Sequence, residues 1–257
     1  MHFTKMQGLG NDYLYVFAEE LPGNAPALSV RLSDRHFGPG ADGMIWILPS
    51  DRADFRMRIF NADGSEAKMC GNGIRCVGKY LYDKGLTDKT DLVIETGAGL
   101  RRLWLNVEDG RAVSAAVDLG TAKVEARPGG GDLVDVGNPH LVCFVSDAEE
   151  APLTELGPAL CASVPGGINV EFVQVLGPES LRMRVWERGS GVTLACGTGA
   201  CASAAAAVSR GFCRAGTPIE VRLDGGALRI TVETNGSVRM EGPAEFVYEG
   251  EIDSSAP

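Results

Sequence analysis

The sequence predicts a mixed α/β (α+β type) protein built as two similar domains, each a mostly antiparallel, curved sheet around one central helix. Three observations carry this expectation. The chain repeats itself at about half its length of 257 residues. Short strand-like runs outnumber helical ones. Each half holds a Cys-Gly-x-Gly segment where a polar turn gives way to helical sequence.

The repeat is read by laying Arg58–Gly73 over Arg184–Gly199, which superposes Arg58 on Arg184 and Cys70 on Cys196. The same offset carries Gly85 onto Gly211 and Gly40–Ile47 onto Gly166–Val173, and an offset one residue longer carries Gly10-Asn11 onto Gly137-Asn138. Landmarks in one order at nearly one offset imply two halves. The expected division is residues 1–115 for the first half and 116–245 for the second, with a C-terminal strand in 246–257 returning to the first.

The elements follow in order within each half. Phe55, Met57 and Ile59 alternate with polar residues, as do Leu181, Met183 and Val185 in the second half, which predicts half-buried strands. A turn rich in Gly, Asp and Ser comes next, and Cys-Gly-x-Gly then opens a helix. In the first half Ile74, Val77 and Leu81 recur at helical spacing, with Gly85 as the stop. In the second, Ala200–Arg210 is dominated by alanine, the best helix former, and Gly211 ends it. Strand-like runs follow at 92–96, 103–107 and 112–119, and again at 219–223, 228–233 and 238–241, separated by Gly and Asp-Gly or Asn-Gly turns. Pro128–Asp132 reads as a loop or hairpin end, and Asp253–Pro257 as a frayed tail.

Composition excludes several classes of function. Apolar residues are 44% and charged residues 23%, a globular balance with enough apolar side chain for two cores. The longest apolar stretches fall short of a membrane span, and the N-terminus lacks a secretory pattern, so the expected setting is the cytoplasm with no membrane partner. A net charge of −10 argues against nucleic acid as a partner. Seven cysteines, an odd number with no Cys-x-x-Cys among them, argue against a disulfide framework and against structural zinc.

Two of the seven cysteines stand out. Cys70 and Cys196 are repeat partners, each at a predicted helix start, while Cys76, Cys143, Cys161, Cys201 and Cys213 lack repeat partners and read as small buried hydrophobes. The first N–H groups of a helix have no partner inside it, and the dipole adds about half a positive charge there. A thiolate at that place is stabilised. The N–H groups of Gly71-Asn72 and Gly197-Thr198 can hold a carboxylate. A thiol base beside a carboxylate cradle is what removal of an amino-acid α-proton needs, because the charge formed must be held on the carboxylate oxygens. Two such units give two bases for opposite faces of one carbon, one taking a proton as thiolate and one giving a proton as thiol, which inverts the configuration.

Other candidates are less specific. His140, in Gly137-Asn-Pro-His140, can orient or deprotonate a thiol. Glu187-Arg188 stands where the first repeat has Asn61-Ala62, and Arg188 can grip a distal carboxylate in bidentate fashion. Asn11, Asn61, Asn138 and Asn169 each lie near a Gly or Pro, where turn formation is the plain explanation and substrate contact the alternative. Gly73-Ile-Arg-Cys-Val-Gly-Lys-Tyr80 superficially looks like a phosphate loop, but Tyr80 replaces the magnesium-binding hydroxyl and the segment falls inside the predicted helix. No dinucleotide fingerprint and no metal constellation is found, and nothing supports a pyridoxal phosphate lysine, so no cofactor is expected.

The sequence resembles the diaminopimelate epimerase family. The resemblance rests on Lys5–Asp12, Arg58–Glu66, Cys70–Gly73, Gly137–His140, Asn169-Val170, Glu187–Gly191 and Ala195–Ala200, in family order over nearly the whole chain. It implies the two-domain fold above and interconversion of LL- and meso-diaminopimelate without cofactor, in lysine and peptidoglycan precursor synthesis. It implies Cys70 and Cys196 as the acid/base pair, with Gly71-Asn72 and Gly197-Thr198 on the reacting carboxylate. It further implies that Asn11, Asn61, Asn138, Asn169 and Arg188 contact the small-molecule substrate, that His140 and Glu187 tune the site, and that a homodimer forms. Two positions depart from the family pattern, Val192 where Glu is expected and Gly43 where some members carry a polar side chain. Rival readings are a proline or hydroxyproline racemase, a phenazine-biosynthesis-like isomerase that does not use the cysteine pair, and a redox protein with Cys70 and Cys196 as a switch.

Overall fold

A computed structural model describes residues 1–127 and 131–253. Residues 128–130 of the expected loop and 254–257 of the expected tail lie outside the described residues. The chain forms two compact units, one of Met1–Val117 plus the segment from Gly242 onward, the other Asp118–Glu241.

The first unit begins with a hairpin of β1 (His2–Gly8) and β2 (Asn11–Phe17), then α1 (Ala25–Ser33), β3 (Gly43–Leu48), β4 (Phe55–Asn61) and the short β5 (Glu66–Ala67). Helix α2 (Gly71–Asp83) follows, then β6 (Asp91–Thr96), β7 (Gly99–Glu108) and β8 (Arg111–Thr121), which runs on into the second unit. That unit continues with β9 (Lys123–Glu125), β10 (Asp132–Asp135), β11 (Pro139–Phe144), α3 (Leu153–Ala162), β12 (Asn169–Gly177), β13 (Ser180–Glu187) and β14 (Gly191–Val192). Helix α4 (Gly197–Ser209), β15 (Pro218–Leu223), β16 (Gly226–Val232) and β17 (Ser237–Pro243) complete it, and β18 (Glu245–Glu251) returns to pair antiparallel with β1. The division falls after Val117 and the return at Gly242, where the sequence reading had 115 and 246. The reason is that β8 and β17 each run unbroken through those points, so no loop marks the boundary.

Most strand pairs are antiparallel. Among the described residues the parallel pairs include repeat-related twins: β2 with β3 and β11 with β12, then β4 with β6 and β13 with β15. The register confirms the repeat at the level of single residues. Leu14 faces Met44 as Leu141 faces Val170, and Phe55 faces Ile94 as Leu181 faces Val221.

The two cysteine helices follow the same rules at both ends. Cys70 and Cys196 are the N-caps, in extended backbone, and their sulfurs accept from Gly73 N and Gly199 N at 3.3 Å in each case. The helices stop at Lys84 and Arg210, and the next residues, Gly85 and Gly211, take positive φ of 70° and 75°. Leu86 N then donates to Leu81 O and Phe212 N to Ala207 O, the closing bonds that a left-handed glycine permits. Both helices are buried for most of their length. Helix α2 packs on β1, β2 and β7, and α4 on β10 to β13 and β16. A Cβ at Gly78 would lie 2.9 Å from Cδ2 of both Leu103 and Leu105, so α2 sits close on β7. Alanines take the corresponding role in α4, where Ala200, Ala202 and Ala204–Ala207 are all buried.

Each unit also carries a second helix that the periodicity does not reveal. Leu28 and Leu32 of α1 cover Leu14, Met44 and Trp46, and Leu153 of α3 covers Val170 and Phe172. Helix α3 has Pro158 within it, which in sequence argues against a helix, whereas the proline in the first turn of α1 is compatible with a helix start. Tertiary burial outweighs the Pro158 signal.

Gly78→Val is expected to lower the unfolding free energy by about 1–3 kcal/mol through overpacking against Leu103 and Leu105, read from the midpoint of urea unfolding at unchanged slope.

Candidate active site

In the first unit Cys70 is half-buried at the start of α2. Its thiol donates to Asn11 Oδ1 at 3.4 Å, and Asn11 Nδ2 in turn donates to Asp42 Oδ2 at 2.7 Å. Asp42 is held by Arg35, which also pairs with Asp12. The β1–β2 hairpin thus reaches Cys70 through a chain of bonds anchored in ion pairs. Tyr13, the repeat counterpart of His140 by the β2 and β11 registers, also hydrogen-bonds Cys70. Asn61 ends β4, and its Nδ2 donates to Ser65 Oγ at 3.0 Å. Asn72 is buried, with Oδ1 accepting from Arg75 Nη1 at 3.0 Å, and Gly71 O accepts from the same atom at 3.2 Å.

In the second unit Cys196 is buried at the start of α4. The structure gathers His140, Glu187 and Thr198 around it. Thr198 Oγ1 lies 3.6 Å from the sulfur and accepts from Asn138 Nδ2 at 3.3 Å. The Thr193 hydroxyl and the Cys196 thiol both hydrogen-bond to Glu187. Asn169 Oδ1 accepts from Arg188 N at 2.9 Å, which sets the turn after β13, and the exposed Arg188 guanidinium donates to Gly166 O at 3.2 Å. His140 is fully buried, with Nδ1 2.6 Å from Oε1 of Glu171, itself fully buried on β12. His140 Nε2 and Glu171 Oε2 are buried with no hydrogen-bond partner in the protein.

Electrostatics differ between the two thiols. Burial, the largest cause, pushes both up. At Cys70 the Gly73 and Asn72 backbone N–H groups, Tyr13 and the Arg75 guanidinium pull the other way. At Cys196 the Glu187 and Glu171 carboxylates add to the upward push, opposed by Thr198 and the Gly199 N–H, and the result lies well above the ordinary thiol value. Cys76 is pushed up to about 11, mainly by burial, and Cys143 likewise. His140, Glu171 and Cys196 form the one grouping among the described residues whose donor atoms could converge on a cation, all within 4.8 Å of one another. Nδ1 and Oε1 are already bonded to each other, so the trio reads as a hydrogen-bonded network behind the thiol.

A family model for diaminopimelate epimerase matches residues 3–125 and 133–247. The chain belongs to the diaminopimelate epimerase family. It is 47% identical to the diaminopimelate epimerase of Bacillus licheniformis over 97% of both chains. It is 49% identical to that of Bacteroides thetaiotaomicron over 98% of this chain and 97% of the other. Solved structures of the same fold include a phenazine biosynthesis protein from Bacillus anthracis (TM-score 0.79, 17% identity, 98% of each chain). A hydroxyproline epimerase from Agrobacterium vitis, solved with trans-4-hydroxy-L-proline, gives a TM-score of 0.73 at 19% identity, over 100% of this chain and 92% of the other. At that identity the likeness to both lies in the fold.

The two departures from the diaminopimelate epimerase pattern have different structural meanings. A Cβ at Gly43 would fall 2.2 Å from Phe60 O and 3.0 Å from Asn61 Cα, so on this backbone no side chain fits and none is offered to a ligand from that position. Val192 pairs with Trp186 across the β13–β14 hairpin and is exposed, while its neighbour Thr193 makes the bond to Glu187. Glu171, Tyr13, Arg75 and Thr193 were not singled out by the sequence reading. Glu171 and Arg75 carry a legible signal, since the repeat lays Glu171 on Ile45 and Arg75 on Cys201, charge against apolar in each case.

Burial pushes the Glu187 carboxyl above the usual carboxylate range, outweighing its bonds to Thr193 and Cys196. A carboxyl raised in the folded state contributes stability that is present below its unfolded pKa and lost as pH rises through the folded value. Glu187→Gln, which cannot ionise, is therefore expected to melt about 2–4 °C above the parent at pH 8. The gain should shrink towards pH 4, as read by thermal melts across pH.

Proposed function

We propose that this protein epimerises LL-2,6-diaminopimelate to meso-diaminopimelate without a cofactor, with Cys70 and Cys196 as the acid/base pair on opposite faces of the α-carbon. The observation that carries the reading is the repeated helix start. Two thiols at equivalent places, each an N-cap whose sulfur takes a backbone N–H at 3.3 Å, give two equivalent bases. One thiolate takes the α-proton and becomes a thiol. The other thiol gives its proton to the opposite face and becomes a thiolate, so protons balance and no external base is consumed. Charge developing on the substrate carboxylate is met by the N–H groups of Gly71-Asn72 and Gly197-Thr198, which have no acceptor within their helices.

In this reading His140 presents its free, buried Nε2 to the reacting amino group and Glu187 assists Cys196. Asn11, Asn61, Asn138 and Asn169 position the substrate, and Arg188 takes the distal carboxylate with its exposed guanidinium. The product serves lysine and peptidoglycan precursor synthesis. The reading places the enzyme in the cytoplasm as a homodimer, with no nucleic-acid or membrane partner. No helix among the described residues is long and apolar enough to cross a membrane.

Incubation in deuterium oxide with diaminopimelate tests the reaction: label should enter at Cα of diaminopimelate and not of proline. Cys70→Ala and Cys196→Ala should each reduce epimerisation by about 10³-fold or more in reduced enzyme, and near-normal turnover in either variant overturns the two-base assignment. Arg188→Ala should raise KM for diaminopimelate by about tenfold or more, the worth of a lost charge-assisted bond, with a smaller effect on kcat. An unchanged KM would remove Arg188 from substrate binding.

A further inference from the structure

The repeat relates the surroundings of the two thiols residue by residue, and they differ in buried charge. Gly73 and Gly199 are equivalent glycines in the first turns of α2 and α4, each pressed onto the strand beneath. A Cβ at Gly73 would meet Ile45 Cδ1 at 2.6 Å, and a Cβ at Gly199 would meet Glu171 Oε1 at 2.7 Å. Ile45 on β3 and Glu171 on β12 are the same position of the repeat. Under Cys70 that place is aliphatic. Under Cys196 it holds a fully buried carboxylate whose oxygen is within 4.8 Å of the sulfur. The opposite substitution occurs two residues further along the helix. Cys201 in α4 is buried and uncharged, and its equivalent in α2 is Arg75, the largest fully buried side chain among the described residues. Arg75 grips the cap from behind, donating to Gly71 O, Asn72 Oδ1 and Pro243 O, and its Nη2 lies where only Gly8 leaves room, 3.1 Å from a Cβ placed there.

The geometry points to Arg75 and Glu171 as a pair of oppositely charged positioning residues that set the resting protonation of the acid/base pair, Cys70 as thiolate and Cys196 as thiol. This rests on the two-base reading above. A two-base enzyme in which the thiols were equivalent would spend its resting time divided among charge states, and only one-thiolate forms are productive. A fixed cation behind one helix start and a fixed carboxylate behind the other remove that degeneracy. Burial makes both charges effective, because little water screens them. Besides the Asn11 amide, the groups facing Cys70 are Tyr13, Tyr15 and Cys76, with Asp42 beyond Tyr13, and each is neutral or acidic, so Arg75 is the cation that favours the thiolate there. Facing Cys196 are Glu171, Glu187, His140 and Thr198, so both acidic groups oppose ionisation of that thiol. Burial pushes both thiols up, and the charged groups then separate them: Arg75 pulls Cys70 down, while Glu187 and Glu171 push Cys196 further up.

The test follows iodoacetamide alkylation of each cysteine separately, by peptide mass spectrometry, from pH 5 to 10 on the intact reduced enzyme. Only the pH midpoint of each cysteine is compared between variants, so differences in access cancel. In the parent the Cys70 midpoint should lie below that of Cys196. Glu171→Gln should lower the Cys196 midpoint by about one pH unit or more and leave that of Cys70 in place. Arg75→Met should raise the Cys70 midpoint by a similar amount and leave that of Cys196, while Arg75→Lys restores it. Glu171→Gln is isosteric and stands alone as a test if Arg75→Met does not fold. Midpoints that do not move in Glu171→Gln, or a Cys196 midpoint below that of Cys70 in the parent, overturn the proposal. The two-base reading is judged by turnover of Cys70→Ala and Cys196→Ala, so it can fail while the midpoints still shift, or stand while they do not.

Discussion

A cysteine sulfur accepting the backbone N–H of the residue three positions on is the contact around which each unit is built. It demands three things at once. The cysteine must sit in extended backbone as the N-cap, the helix must begin at the next residue, and Gly73 or Gly199 must bring the first turn close enough for a 3.3 Å bond. The close approach explains the glycines: a Cβ at either would collide with the strand below. Placing the helix start there fixes the depth of α2 and α4, and from that follow Gly78 against β7 and the run of buried alanines in α4. The helix is central because a thiol that needs a helix dipole and a dry environment must have both ends of its helix tied into the sheet.

The same contact sets the conflict that the rest of each site answers. Burial raises a thiol, while the helix start and its N–H groups favour the thiolate. The two units share the backbone solution and differ in side chains. In the first, Asn11, Tyr13 and Arg75 approach the sulfur, in the second Thr198, Glu187 and the His140–Glu171 pair. A duplicated backbone supplies two cysteines in equivalent settings, and divergence of a few buried positions distinguishes them. The His140–Glu171 bond is the most committed of these, with both side chains fully buried and one polar atom of each left unpaired. Leaving such atoms dry is costly unless a ligand meets them.

Legibility in the sequence followed the strength of the local signal. The helix starts, their glycine stops and the alternating strands were all readable, because capping, left-handed glycine and period-two burial are local properties. Helices α1 and α3 were not, since both are short, α3 has a proline within it, and each is held by the sheet it covers. The sequence places the first boundary two residues early and the return four residues late, because β8 and β17 cross those points as continuous strands. Gly43 departs in sequence from a family position where some members carry a polar side chain, and its constraint, Phe60 O at 2.2 Å from a Cβ placed there, depends on the pairing of β3 with β4.

By itself the sequence determined the duplication, the choice of Cys70 and Cys196 from seven cysteines, and the family. Repeat spacing and helix-start chemistry are written along the chain and need no partner to be read. The tertiary structure alone decided what lies behind each thiol. The repeat marks Glu171 and Arg75 only as charge laid against an apolar partner, and their meaning comes from the face they present and from total burial, which register and packing determine.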